Sequence, residues 1–113
     1  MMLRTIKVKK GATLKRVILL RNAKTKEPVD LTGQNIYCSV KTYNGSLVAN
    51  CTVSNLDQTL NKGKALVDFG PTDDWPSGKH VFDFAREVPT DTGVVVVYSK
   101  TAQIEAEQGV TDV

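Results

Sequence analysis

Apolar and polar residues alternate with a period of two along most of this chain, and clusters of turn residues interrupt the alternation at short intervals. The clearest run is Gln34 to Thr42, where Ile36, Cys38 and Val40 fall on one face and Tyr37, Ser39 and Lys41 on the other. Asn44-Gly45 then supplies the residues of a two-residue hairpin turn, and Leu47 to Ser54 alternates again as the return strand. With Asn44 and Gly45 as the loop, Tyr43 pairs with Ser46. The register then sets Val40 opposite Ala49, Cys38 opposite Cys51 and Ile36 opposite Val53, so the apolar faces coincide, which a one-residue slip would undo. Ahead of this hairpin, Pro28-Val29-Asp30-Leu31-Thr32-Gly33 predicts a bend. Pro28 fixes its φ, the short side chains of Asp30 and Thr32 reach nearby amides, and Gly33 tolerates positive φ.

The same reading predicts strands on either side. Leu3 to Lys9 places Ile6 and Val8 inward, and Gly11-Ala12 breaks it. Leu14 to Arg21 is apolar enough that either Val17 and Leu19 or Ile18 and Leu20 can face the core. Asn22 to Glu27 and Asn55 to Gly63 read as polar loops. Lys64 to Phe69 puts Ala65, Val67 and Phe69 on one face before Gly70-Pro71 ends it. Thr72 to Trp75 suits one capped helical turn ahead of Pro76. Lys79 to Glu87 follows with Phe82 and Phe84 together, then a loop from Val88 to Gly93. Val94 to Tyr98, an unbroken β-branched run, suits a central strand. Ser99 to Glu107 closes the set, with Ala102, Ile104 and Ala106 on one face. The expected core includes Ile6, Val8, Ile36, Val40, Val53, Val67, Phe82, Phe84, Val95 and Ile104. Seven or eight short strands and no long amphipathic helix predict an all-β, antiparallel β-sandwich.

Length adds that residues 1–113 make a single domain with one core. No apolar run approaches the roughly 20 residues of a membrane span, so no membrane role is expected, and the chain is expected to be made in the cytoplasm. The net charge of +3 is modest, but its distribution is uneven. Residues 1–26 hold nine Lys or Arg and no acid, whereas the rest hold six bases and all twelve acids, a balance of −6. Lys7, Lys9, Lys10, Lys15, Arg16, Lys24 and Lys26 therefore form a candidate docking surface for an acidic partner or a neighbouring copy. A nucleic-acid arm is the competing reading, and it lacks interleaved aromatics for base stacking. Simple solvation of two strand faces also explains many of these charges.

Candidate chemistry is sparse. His80, the single histidine, has no nucleophile placed beside it and reads as a packing or surface residue, so no enzymatic activity is expected. Asp73, Asp74 and Asp91 match no calcium-loop spacing and read as turn caps. Two cysteines and one histidine are too few for a structural zinc site, and no metal or other cofactor is expected. Cys38 and Cys51 form a candidate cross-strand thiol pair. A disulfide between them is at the short end of the allowed geometry, and the pair is expected to be two reduced, buried thiols acting as small hydrophobes. Trp75 reads as a plug over one end of the sandwich.

Five segments in order carry a resemblance. They are Lys9-Lys10-Gly11-Ala12-Thr13-Leu14, Leu20-Arg21-Asn22-Ala23, Pro28 to Gly33, Asn44-Gly45-Ser46-Leu47-Val48-Ala49, and Trp75 to Phe84 with its Trp-Pro-Ser-Gly-Lys-His core. This succession resembles the N-terminal domain family of phage baseplate upper proteins, within the wider set of immunoglobulin-like modules of tailed-phage particles. It runs nearly the whole chain, to Gly109-Val110-Thr111. The resemblance implies an immunoglobulin-like sandwich and a structural place in the virion, in the tail, baseplate or neck, with several symmetry-related copies bound to other virion proteins. A capsid decoration protein is the alternative setting. Exposed apolar residues near Leu3, Leu14 or Val94 are expected to supplement charge in such contacts.

Overall fold

The computed structural model describes residues 5–108, and these are all-β, with no helix among them. The strands are β1 (Thr5–Lys9), β2 (Thr13–Leu19), β3 (Asn35–Lys41), β4 (Leu47–Asn55), β5 (Lys64–Pro71), β6 (Gly78–Thr90), β7 (Gly93–Tyr98) and β8 (Ala102–Glu107). They hydrogen-bond in the order β1-β8-β6-β3-β4-β5-β2, with β7 attached to β6 outside this path. The sheet is mixed rather than wholly antiparallel, because β1 runs parallel to β8. It curls nearly into a barrel through β4, which pairs with β3 over Leu47 to Cys51 and with β5 from Thr52 to Asn55. That partner switch explains one departure from the expected register. Cys38 faces Cys51 and Val40 faces Ala49 as the alternation requires, but Val53 stands opposite Val67 of β5, not Ile36.

The β3–β4 turn also differs from the two-residue form. Gly45 N–H donates to Thr42 O at 3.0 Å and Thr42 N–H to Ser46 O at 2.9 Å, with Gly45 at φ +92°. Tyr43, Asn44 and Gly45 therefore form a three-residue loop closed by a left-handed glycine. The ladder near the turn is offset by one residue, and a bulge between Val40 and Lys41 restores the expected register beyond it. Two irregularities cancel because the apolar faces of both strands must meet.

The bend before β3 forms as the residues suggested. Asp30 Oδ1 accepts from Thr32 N–H at 3.0 Å and Thr32 Oγ1 at 2.7 Å, and Gly33 takes φ +75°. These bonds hold the Asp30 carboxyl below its ordinary range. The bend buries Leu31 completely, a core residue that alternation could not flag because it lies outside any strand. Thr72 to Trp75 is a turn rather than a helical turn, closed by Trp75 N–H to Thr72 O at 3.2 Å. It seats Trp75 in the core.

The core follows alternation closely. Val8, Ile36, Val40, Val67, Phe82, Phe84 and Ile104 are buried, together with Ala65, Phe69, Cys38 and Ala106, and Ile6 and Val53 pack at its margin. On β2 and just past its end, Ile18 and Leu20 turn toward the core, Val17 and Leu19 are exposed, and Leu14 is buried. Leu14 is thus unavailable as a docking residue, and Leu3 and Gly109 to Thr111 lie outside the described residues.

The segment from Val88 to Tyr98 departs most from expectation. Val88 to Thr90 continue β6 instead of forming a loop, and β7 folds back on them from Val88↔Val95 to Thr90↔Gly93. β7 is no central strand. Val95 shares its face with Val88 and, by parity, with Phe84, yet is 50% exposed. Val95 is therefore no core residue: β3 leaves β6 at Asn35↔Glu87 and the hairpin continues past the sheet's end, where nothing covers it among the described residues. Ser99 to Thr101 cross over between β7 and β8 and do not extend β8.

Candidate interaction surface

β1 and β2 are the two ends of the strand path and are not paired with each other, so Lys7 and Lys9 on β1 and Lys15 and Arg16 on β2 stand on separate strands joined by the short link Lys10-Gly11-Ala12. Acids of the same chain face several of them. Lys7 pairs with Glu105, whose other neighbour is Lys79; Lys9 Nζ lies 3.8 Å from Glu107, and Lys15 Nζ lies 3.9 Å from Asp68. The acid-rich remainder thus neutralises part of the basic segment within the domain, by cross-strand pairing of exposed charges. Lys10 is half-buried, its N–H bonded to Glu107 O at 2.7 Å. Lys24 and Lys26 are exposed on the β2–β3 loop, where Asn22 Oδ1 accepts from Lys24 N–H at 2.8 Å and Thr25 N–H at 3.1 Å.

An apolar surface stands elsewhere. All six residues of β7 are exposed, Val94 at 61% and Tyr98 at 68%. β7 has β6 as its sole strand partner among the described residues, so its outer edge presents free backbone groups. Beyond β3 the β6–β7 ribbon continues by three β6 residues, about 10 Å at 3.3 Å each, in a molecule whose long axis is 51 Å. Where the ribbon rejoins the sheet, Tyr37, Ala85 and Tyr98 form a row across β3, β6 and β7. Tyr37 and Tyr98 flank a groove of about 380 Å³ that includes Lys41, Val81, Asp83 and Thr101. Tyr37 OH donates to Glu87 Oε1 at 2.6 Å, which raises the phenol above its ordinary range.

The groove exists because β6 changes partners. Its edge pairs with β8 up to Phe82 and with β7 from Ala85. Between them Ser99 substitutes for a strand, accepting from Phe84 N–H at 2.9 Å through Oγ and donating its own N–H to Phe84 O at 2.8 Å. The sequence signal for this surface was the lack of polar alternation in Val94 to Val97, which serves a strand buried on both faces or exposed on both.

His80 is buried, with Nε2 2.7 Å from Pro76 O and its ring edge-on to Trp75 at 6.3 Å. The carbonyl partner assigns the proton to Nε2; Nδ1 is buried without a hydrogen-bond partner among the described residues. Among the described residues no group of three acids, histidines or cysteines could hold a metal ion, so Asp73, Asp74 and Asp91 do not converge.

Cys38 and Cys51 are direct cross-strand neighbours and free thiols, Cys38 buried and Cys51 only half-buried. The hydrogen bond between them, with burial, pushes the Cys38 thiol up, and the same bond pulls Cys51 down. Cys51 is therefore expected to react first. Limited alkylation of the folded protein followed by peptide mass spectrometry should find the single label on Cys51; labelling of Cys38 first would reverse the assignment.

No protein-family model and no curated protein matches the chain. No helix among the described residues is long and apolar enough to cross a membrane.

Proposed function

We propose that this chain is a structural protein of a tailed-phage virion: an immunoglobulin-like module of the tail, baseplate or neck that works through protein contacts and catalyses no reaction. The observation that carries the reading is the combination of free strand edges with a large exposed apolar surface on an otherwise well-packed domain. Exposed contiguous apolar area of this kind marks protein interaction surfaces, and free edges accept partner strands by backbone hydrogen bonding.

The order of pairing supports the immunoglobulin-like part. β2 and β5 pair on one side, and β3, β6 and β8 on the other, the arrangement of the B–E and C–F–G strands in such sandwiches. β4 serves both sheets, and β7 is an additional strand in the connection between the F- and G-like strands. The succession of residue segments from Lys9 to Phe84 supports the virion setting.

Reconstruction of the purified particle tests the reading. The chain should occupy defined sites outside the capsid shell and bury on the order of 800 Å² against its partners. Absence from virions, or contacts of only a few hundred square ångströms, rejects it. A position clamping shell subunits would select the decoration role instead. For nucleic acid, the pairing of Lys7, Lys9 and Lys15 with acids of the same chain predicts no gel shift with single- or double-stranded DNA at micromolar protein and physiological salt. Micromolar binding abolished by Lys9→Glu with Lys10→Glu would reverse this.

A further inference from the structure

We propose that β7 is a self-association strand: two copies of this chain pair antiparallel through their β7 edges about a two-fold axis, joining their β6–β7 ribbons into one four-stranded sheet. The inference goes beyond the virion reading and does not depend on it, because the partner is a second copy of the same chain.

The sequence of the ribbon selects this occupant. Among the described residues, β1, β2 and β7 each have one edge with no strand partner along its whole length. Antiparallel pairing of β1 with its own copy about its centre would set Lys7 against Lys7, and β2 about its centre would set Arg16 against Arg16. Like charges directly opposite one another destabilise a strand pair. β7 contains neither charge nor proline, the two devices that ordinarily protect an edge from pairing. A two-fold axis perpendicular to the sheet keeps each face on its own side, so an antiparallel self-pair centred on Val96 sets Val96 against Val96, Val95 against Val97 and Val94 against Tyr98 of the second copy. Every apolar residue from Val94 to Tyr98 then meets another.

Charge at the ends of the strand fixes its direction. Asp91 precedes β7 and Lys100 follows it. An antiparallel copy brings each Asp91 to the end where the other copy's Lys100 stands, whereas a parallel copy would bring like charges together at both ends. Closed two-fold symmetry also leaves no further β7 edge exposed, so association stops at the dimer.

The test uses the full chain alone in solution. Wild-type protein should sediment at twice the 12.4 kDa chain mass. Val96→Lys places two ammonium groups on the axis and should weaken dimerisation at least about tenfold. Since Val96 is 52% exposed, the variant should keep the wild-type melting curve measured at monomeric concentrations. Under mild oxidation, Val96→Cys should cross-link to its own copy, and Val97→Cys, which faces Val95 of the second copy, should not. A wild-type protein monomeric up to about 100 µM, a dimer indifferent to Val96→Lys, or equal cross-linking of both cysteine variants would overturn the proposal. The first of these leaves the virion reading intact, because unlike partners remain available to the edge.

Discussion

Replacing Phe82 with alanine is expected to destabilise the fold by about 5 kcal/mol, the upper end of the range for truncating a buried aromatic. Phe82 is buried at the centre of an aromatic row, its ring edge-on to Phe69 at 5.4 Å and to Phe84 at 5.8 Å. Each such pair adds about 0.5 to 1.5 kcal/mol beyond burial. The residue also joins both parts of the sheet, since Phe69 belongs to β5 and Phe84 to β6. The cavity left behind lies between strands whose pairing holds them in place, so collapse cannot recover much of the loss. Urea denaturation measures the change; a loss below about 1 kcal/mol would mean that the row is not packed as described.

The second large effect is expected at Gly63, where alanine should cost on the order of 3 kcal/mol. Gly63 lies just before β5 at φ +82°, a conformation that costs an L-residue about 1 to 2 kcal/mol. Space is also short. A methyl group there would lie 2.8 Å from Leu20 O, 2.9 Å from Pro28 Cβ and 3.1 Å from Leu19 Cδ1, and forced overpacking of this kind costs about 1 to 3 kcal/mol. The backbone cannot easily retreat, because Gly63 O accepts from Leu20 N–H at 2.8 Å and Gly63 N–H donates to Gln58 Oε1 at 2.9 Å. Gly33 supplies the control, with φ +75° but nothing within 4 Å of the added methyl. Gly33→Ala should show the strain alone, so the difference between the two measures the clash. Equal losses at both sites would show that the Leu20 and Pro28 segments yield.

The proposed pairing through β7 and the stability of the core are separable. The aromatic row and Gly63 act inside the domain, while the Val94 to Tyr98 surface lies on a ribbon that projects beyond it. Substitutions on the ribbon should therefore change association without large shifts in unfolding free energy.

Alternation by itself determined that Cys38 meets Cys51, that Ala65, Val67 and Phe69 share a buried face, and that Ala102, Ile104 and Ala106 do likewise. These are local consequences of a period-two backbone with one face against a core, and the turn after β3 could gain a residue without disturbing them because the bulge at Val40 absorbed it. Leu31 and Trp75 were beyond that logic, since each enters the core from a bend whose path depends on elements distant in sequence. The partner switch of β4 at Cys51 to Thr52 is equally invisible locally, because each residue keeps its face while its neighbour changes. Val94 to Val97 show the limit most clearly. An unbroken β-branched run carries the same pattern in a strand covered on both sides and in one covered on neither. The length of β6 beyond β3 decided between them, leaving β7 exposed where another chain can reach it.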